Sequence, residues 1–426
     1  MALEVQQHTR DEKADPHYDN NDNPGHDLKE IKSIKQFLNE ARDENKRICY
    51  LAGPVIFTCI AQYSLGATTQ VFAGHLSTLE LDAVSMEDLV ISGLAYGIML
   101  GMASALETIC GQAYGAKQLH MLGVYMQRSW VILTLMCICL LPIYLFATPI
   151  LRLFHQNEEI ASLAGKFSLY GLGLVGAAIA LNASWWFIVF GQFSYIAMGY
   201  CPGAWNGFSR LAFKDLAEFT KLSIGSAIMI CLEFWNLVIT IVVAGNLKNA
   251  QIAVGAMSIC LNLFGWHNMI FLGFNAAISV RISNELGAGR PRAAKFSILV
   301  VLMSSMLLMP FPVLPFSLPL HYFLINGIQP VLSGVAIGAG WQWLIAYVNL
   351  GSYYLIGFPL GFVLAFPLKK GVQGMWTGQL CGVGLQTAIL IIITLKTNWD
   401  HEASQANSRI EKWGGSTKTP EVNSMD

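Results

Sequence analysis

The chain has 426 residues, of which 54% are hydrophobic and only 12% charged, and its mean hydropathy is +0.49. Soluble globular domains contain about 25% charged residues, so this composition excludes an ordinary soluble protein and indicates a membrane protein. The net charge of −1 and the lack of a basic face give no support to nucleic-acid binding. The nine cysteines follow no metal-binding or redox spacing, and we expect neither a metal site nor a cofactor.

Polar tails flank a long apolar region. Residues 1–48 are charged, rich in Asn and Asp and without an apolar signal segment, which predicts a solvated tail whose end, EIKSIKQFLNEARDENKRI, leads into the first span as an amphipathic helix. Apolar segments of the roughly 20 residues needed to cross a bilayer then recur about ten times. They lie near 49–72, 83–106, 122–150, within 168–200, 220–244, 252–279, within 296–312, within 318–340, 342–367 and 372–395. Residues 397–426 form a second polar tail.

The number of membrane spans is ambiguous in two regions of the sequence. The apolar run 161–200 is too long for one span and too short for two with a loop. The run 296–340 contains MPFPVLPFSLPLHYF, whose four prolines break a continuous helix.

An internal repeat predicts the topology. IMLGMASALETICGQAYGA resembles MIFLGFNAAISVRISNELGA, and an offset near 172 aligns Gly101 with Gly273 and Gly115 with Gly287. Lys and Arg residues gather in four regions, which places those regions and both tails in the cytoplasm. They include Arg42, Lys46, Arg47, Lys117, Arg128, Arg210, Lys214, Lys221, Arg281, Arg290, Arg292 and Lys295. Both halves then begin on the same side, which predicts an all-α polytopic protein of two parallel-repeat helix bundles.

This topology divides the chain into five parts. We expect a cytoplasmic N-terminal tail over 1–48, a shortened N-lobe bundle over 49–205 and a cytoplasmic linker over 206–221. A C-lobe bundle over 222–396 and a cytoplasmic C-terminal tail over 397–426 complete it. The pair Lys369 and Lys370 is the exception to the charge rule, because this topology places it outside.

Four long motifs carry a family resemblance. SALETICGQAYGAKQ, CLEFW, SVRISNELGAGRPRAAK and IQPVLSGVAIGAGWQ resemble the plant branch of the multidrug and toxic compound extrusion (MATE) family, near the subgroup with flavonoid carriers of the vacuolar membrane. The resemblance implies twelve helices in two lobes, a monomeric transport unit and alternating access. It also implies xenobiotic detoxification by exchange of small organic cations or glycosylated aromatics for protons or sodium, at the vacuolar or the plasma membrane.

The chain departs from the family pattern at the two ambiguous places. GKFSLY is joined directly to GLGLVGAAIALNASWWF, where family members continue through further helical sequence, and the region from Met309 to Phe323 is also shortened. We therefore expect about ten helices instead of twelve, with two internal segments missing.

Glu233 lies in the apolar and aromatic stretch MICLEFWNLVI. A carboxylate at membrane depth costs roughly 2.5–3.5 kcal/mol even on insertion scales, so an acid so placed is by default functional. The resemblance assigns the membrane-embedded acid of the seventh family helix to proton or cation coupling. The alternative is a structural acid satisfied by Asn236, Trp235 or a backbone group.

Further polar and aromatic residues are predicted to line a substrate or ion pathway. They are Asn236, Asn262, Trp266, Asn326 and Gln329. Many relatives carry aspartate where this chain has Asn326, so Glu233 would act without a second acid. The amides could equally serve as hydrogen-bonding contacts between helices, and tryptophans such as Trp266 are often interface anchors.

Glu107, Gly115, Arg281 and Gly287 form the signature of the repeated loops. Glu107 aligns with Ser279 and either fixes the loop or carries protons.

GQAYGAK lacks the spacing and the Ser/Thr of a phosphate loop, and no His/Asp/Ser grouping suggests catalysis, so we expect a protein that is not an enzyme. Three hypotheses result: a proton-coupled antiporter, a channel-like anion conductor, and a truncated non-transporting isoform.

Overall fold

A computed structural model describes residues 27–76, 91–153, 158–159, 162, 175–244, 247, 250–308 and 320–413. These residues form helices joined by turns and contain no strand, which confirms the predicted all-α class. The N half consists of α1 (Ile34–Leu76), α2 (Gly93–Gly115), α3 (Leu119–Leu145), the short α4 (Ala147–Leu153) and α5 (Val175–Ala197). A 3-10 turn, Arg210–Phe213, lies between the halves.

The C half consists of α6 (Leu216–Ala244), α7 (Ala250–Gly287), α8 (Pro291–Leu308), α9 (Leu320–Ala339), α10 (Gln342–Ala365) and α11 (Gly371–Lys396). α12 (Trp399–Lys412) follows it. Each of the ten predicted spans coincides with a long helix of the two halves. Among the described residues, α1, α2, α3, α6, α10 and α11 contain stretches long and apolar enough to cross a membrane.

The two halves meet at a crossing of α2 and α7 that follows the sequence repeat. A Cβ atom on Gly115 would overlap the carbonyl oxygen of Asn284, and one on Gly287 would overlap that of Gln112. The repeat offset relates Gly115 to Gly287 and Gln112 to Asn284, so the contact is the same from both sides, as across a twofold axis. Because both helices end at this crossing, the halves run in the same direction, which confirms the parallel repeat.

The second helix of each half also packs against the first helix of the other half. Gly101 of α2 lets the backbone of α6 approach at Ala227, and its repeat partner Gly273 of α7 lets α1 approach at Ile56. Small residues are the usual means by which helices in membranes come close. The halves are therefore interlocked along four helices.

α10 and α11 pack through glycines in the same way. α10 contains a π-helical segment, Leu350–Gly357, and its Gly357 and Gly361 touch Gly378 and Gly382 of α11. π segments are rare and are frequent at functional sites. This one holds Tyr353 and directly follows Asn349, both of which belong to the site described below.

The polar C-terminal region contains a helix that the sequence analysis did not predict. The Asn398 side chain caps α12 by accepting from the backbone nitrogens of Asp400 and His401. One face of the helix is buried and consists of Trp399, Ala403, Ala406, Ile410 and Trp413 just beyond its end. Their spacing of four and three residues is that of an amphipathic helix.

α12 joins the two halves at the end of the bundle where α2 and α7 cross. Trp399 packs in a core cluster formed mostly by α7, α8 and α9 of the C half, whereas Trp413 packs in one formed mostly by α2 and α3 of the N half. The Trp413 ring lies edge-on to Tyr125, with 6.5 Å between centroids. Arg128 of α3 donates to the Trp413 carbonyl at 3.0 Å, and Arg409 donates to the Ala339 carbonyl at 2.8 Å. The helix therefore holds both halves together at this end.

Candidate functional site

A cavity of about 570 Å³ lies between the halves. Its walls come from α1, α2 and α5 of the N half and from α6, α7, α9, α10 and α11 of the C half. Aromatic side chains line much of it, namely Tyr63, Tyr96, Trp185, Phe234, Tyr353 and Trp376. The polar residues on its walls include Glu233, Asn236, Gln329 and Gln379. The space is large enough for a small organic molecule.

Glu233 is half-buried in the cavity wall, at the middle of α6. Its Oε1 atom accepts hydrogen bonds from three side-chain amides on three different helices. Gln329 of α9 and Asn349 of α10 each donate at 3.3 Å, and Gln386 of α11 donates at 3.4 Å. The acid is thus surrounded by neutral donors supplied by the C half alone.

A second layer of bonds supports these donors. Asn349 also donates to the Met229 carbonyl at 3.2 Å, and Gln386 donates to Asn349 Oδ1 at 2.6 Å. The Tyr353 hydroxyl donates to Gln386 Oε1 at 2.5 Å. Asn349 and Gln386 are completely buried, so protein groups, not water, satisfy their polar atoms.

The charge at this site has no counter-ion among the described residues. No Lys, Arg or His of the described chain forms an ion pair with Glu233, and its polar partners are the three amides. A carboxyl group held in this way can exchange a proton for another cation, because either one neutralises it. This exchange is the chemistry that the arrangement permits.

Asn236 belongs to a separate polar cluster on the same wall. It donates to Gln379 Oε1 at 2.7 Å, and Gln379 donates back to the Asn236 carbonyl at 3.2 Å and to the Thr240 hydroxyl. Asn236 therefore binds α6 to α11 and makes no hydrogen bond to Glu233. Its position on the wall still leaves it next to anything that occupies the cavity.

The other predicted pathway residues are placed less centrally. Trp266 is exposed and does not line the cavity, but its ring lies edge-on to that of Tyr63, with 5.0 Å between centroids. Asn262 and Asn326 lie in α7 and α9, and their side chains fall outside the described part of the structure. Among the predicted residues whose side chains are described, Gln329 is the one that donates to Glu233.

The loop-signature residues lie around the α2–α7 crossing, and none lines the cavity. Gly115 and Gly287 make the crossing itself, as described above. Arg281 donates to both carboxylate oxygens of Glu44, at 2.7 and 3.0 Å, and pairs with Glu285 at 2.5 Å. The half-buried Glu107 lies beside the Ser279 hydroxyl of the other half.

Sequence reasoning missed Asn349, Tyr353 and Gln386. Asn349 lies in LIAYVNLGSYY and Gln386 in GVGLQTAIL, so each is an amide in an apolar helix. The sequence could have predicted that each amide forms a hydrogen bond to a neighbouring helix, because isolated amides in membrane helices usually do so. The identity of the partner was not readable, because it depends on the rotation and register of three helices.

Comparison with known proteins agrees with this architecture. The family model MatE matches residues 54–200 and 226–319. The chain belongs to the MATE family of membrane transporters. Protein DETOXIFICATION 33 of Arabidopsis thaliana is 49% identical, over 90% of this chain and 95% of that protein. Protein DETOXIFICATION 30 of the same plant is 45% identical, over 91% and 93%.

Solved MATE structures share the fold. The eukaryotic MATE transporter AtDTX14 superimposes with a TM-score of 0.80 and 30% identity, over 88% of this chain and 99% of that one. A mutant form of the Vibrio cholerae MATE transporter VcmN gives a TM-score of 0.66 at 15% identity, over 85% and 100%, which shows the fold alone. The family consists of transporters that act on small organic substrates in membranes.

The lengths of the alignments show that internal residues of the relatives have no counterpart in this chain. The alignment to DETOXIFICATION 33 extends over 458 residues, although it covers 90% of a chain of only 426. That MATE relative therefore contains internal residues without a counterpart in this chain. Residues 163–174 and 309–319, where the predicted junctions fall, lie outside the described residues.

Proposed function

We propose that the chain is a proton-coupled MATE antiporter that exports or sequesters organic compounds, such as flavonoid glycosides or organic cations, by alternating access. One observation carries this proposal: Glu233 lies on the wall of the cavity between the halves, and three neutral donors hold it. In the described chain it has no cationic side chain as a partner. The name DETOXIFICATION, given to its relatives, is consistent with export of harmful organic compounds.

The exchange takes place at the second oxygen of Glu233. All three amides donate to Oε1, and no side chain in the described part of the chain donates to Oε2. A proton or a substrate cation binds there, and each displaces the other because both neutralise the same charge. Protonation on the acidic side of the membrane releases the substrate there, and deprotonation on the other side restores the site.

The aromatic walls favour flat or cationic substrates. Tyr96 of the N half and Phe234 of the C half meet edge to face, with 6.3 Å between ring centroids, and both line the cavity. Aromatic faces bind flat rings by stacking and cations by their quadrupole. A flavonoid glycoside uses the first interaction, and an organic cation uses the second together with Glu233.

We infer the orientation of the chain in the membrane from the distribution of Lys and Arg. The direction of transport at each candidate membrane depends on which side is acidic. We place both tails, and with them α12, in the cytoplasm, because Lys and Arg gather on that side. Since the halves touch there, at the α2–α7 crossing and through α12, they have to separate for the cavity to open to the cytoplasm. An acidic vacuole would drive sequestration, and an acidic exterior would drive export from the plasma membrane.

The test is uptake into proteoliposomes with an acidic interior. A fluorescent organic cation and a flavonoid glucoside are offered to the parent and to Glu233→Gln. Glu218→Gln is the matched control, because Glu218 is an exposed acid at the start of the same helix. We expect Glu233→Gln to reduce gradient-driven uptake at least about tenfold, since it removes the exchangeable charge. Glu218→Gln should transport like the parent.

Three results would contradict the proposal. Uptake by Glu233→Gln at the parental rate would mean that coupling occurs elsewhere. A voltage-dependent anion current that persists in Glu233→Gln would instead support the channel-like conductor. Absence of transport by the parent, in protein shown to be inserted, would indicate the non-transporting form.

A further inference from the structure

A directed chain of hydrogen bonds runs from the backbone of α6 to the hydroxyl of Tyr353. The Met229 carbonyl can only accept, so it requires the amide nitrogen of Asn349, 3.2 Å away, to point toward α6. The oxygen of Asn349 then needs a donor, which Gln386 Nε2 supplies at 2.6 Å. The oxygen of Gln386 needs a donor in turn, and the Tyr353 hydroxyl supplies it at 2.5 Å.

The donors and acceptors in this chain of hydrogen bonds can be arranged in one direction. Rotating the Gln386 amide by half a turn would set its oxygen against the oxygen of Asn349, and its nitrogen would have to find an acceptor in Tyr353. In the direction observed, both Asn349 and Gln386 present only N–H groups to Glu233 Oε1. Tyr353 is buried, and its hydroxyl is the donor that satisfies the oxygen of Gln386.

We propose that Tyr353 is a positioning residue for the exchange reaction: its hydroxyl, by donating to Gln386, keeps the amides turned as donors toward Glu233. This inference rests on the proposed exchange at Glu233. Without the hydroxyl, the buried oxygen of Gln386 loses its donor, and the amide has to rotate or withdraw. Glu233 then loses at least one hydrogen bond that favours its charged form, so it holds its proton to higher pH.

No other charged group on the described helices complicates this argument. Among the described residues that line the cavity, the groups besides Glu233 that can ionise are Cys59 and Tyr63 of α1, Tyr96 of α2 and Tyr353 of α10. Next to lining residues in the sequence lie Cys231, His267, Tyr354 and Cys381. Cysteine and tyrosine are neutral near pH 7 in such surroundings. The described cavity residues of α5, α7, α9 and α11 do not ionise.

The matched pair for the test is Tyr353→Phe and Tyr354→Phe. Tyr354 is the next residue on α10, and its hydroxyl donates to the Leu232 carbonyl at 2.9 Å, outside the directed chain. Each variant and the parent are assayed for uptake into proteoliposomes over a range of external pH. We expect the half-maximal pH of Tyr353→Phe to rise by about 1–2 units, the size of effect expected for one lost bond to a charged group. The Tyr354→Phe profile should coincide with that of the parent.

A spectroscopic titration gives the same answer without relying on transport. The carbonyl stretch of protonated Glu233 is identified in infrared difference spectra of the purified protein as the band that Glu233→Gln lacks. In Tyr353→Phe this band should persist to higher pH than in the parent. If Glu233→Gln transports normally, the proposed function fails, while this titration still decides the role of Tyr353.

A third variant tests whether Tyr353 acts through Gln386. Gln386→Leu should shift the band in the same direction, and Tyr353→Phe added to it should shift it no further. Gln386→Leu by itself still tests the proposal if Tyr353→Phe yields no folded protein. An unchanged band in Tyr353→Phe or Gln386→Leu, equal shifts in Tyr353→Phe and Tyr354→Phe, or additive shifts in the double variant would overturn the proposal.

Discussion

The two halves of the molecule share an interface but differ at the site. In the described residues the N half supplies four long helices, α1, α2, α3 and α5, whereas the C half supplies six. The three amides that hold Glu233 come from α9, α10 and α11. Between α3 and α5 the described N half contains the short α4 and residues 158–159 and 162, whereas the C half has α9 and α10 between α8 and α11.

The position that the repeat pairs with Glu233 is Ala61 of α1. Ala61 is exposed, and its helix packs against α7 in the same way as α6 packs against α2. The contacts between the halves are thus symmetric, while the chemistry is not. The repeat therefore preserves the packing of the first two helices of each half. It does not preserve the Glu233 site, which is built from later helices of the C half.

The largest effect should come from moving the acid between the halves. Glu233→Gln combined with Ala61→Glu should stay at least about tenfold below the parent in proton-driven uptake, because the three amides that hold Glu233 come from α9, α10 and α11, and a carboxylate at an exposed position at membrane depth is costly. Glu233→Gln combined with Gln386→Glu moves the acid within the C-half cluster, across a 3.4 Å contact, and should recover part of the uptake. Recovery in the first variant and not in the second would contradict the asymmetry.

The largest effect on stability should come from the helix that joins the halves. Trp413→Ala removes a buried ring from the N-half cluster and should lower the free energy of unfolding by about 3–5 kcal/mol. Thermal unfolding of the purified protein in detergent measures the effect. Trp186 is 59% exposed, so Trp186→Ala should change stability little. Equal effects of the two would mean that α12 does not bind the N half.

The smallest effect should test the symmetry of the interface. Gly115→Ala and Gly287→Ala each place a methyl group against a backbone carbonyl, which should cost about 1–3 kcal/mol in each case. Because the two glycines are repeat partners, the two costs should agree. Gly53→Ala on α1 has no atom within 4 Å of the new methyl group and serves as the control. A loss in one variant alone would show that the crossing is not twofold.

The spans, the repeat and the acid were predictable because each leaves a signal along the chain. Apolar length predicted ten helices, and the pairing of Gly115 with Gly287 predicted the parallel repeat but not the contact between these two glycines. α12 was missed because its polar residues outweigh five buried ones, although the buried ones follow a regular spacing from Trp399 to Trp413. Its apolar face was readable from that period, whereas its contact with both halves was not.

The surroundings of Glu233 were predictable only in part. Gln329 was proposed for the pathway and contacts the acid, but Asn349, Tyr353 and Gln386 were not proposed. Their convergence depends on how α10 and α11 rotate, which the π segment and the glycine contacts between these helices determine. Such long-range geometry leaves no periodic trace in one sequence.

The most direct test of the asymmetry is the number of protons exchanged per substrate molecule. Proteoliposomes containing the parent chain are held at a series of pH gradients, and the opposing gradient of a monovalent organic cation that stops net flux is measured. A single exchange site in the C half predicts one proton per cation. A ratio of two would contradict the account, because it would require a second proton carrier outside the Glu233 cluster.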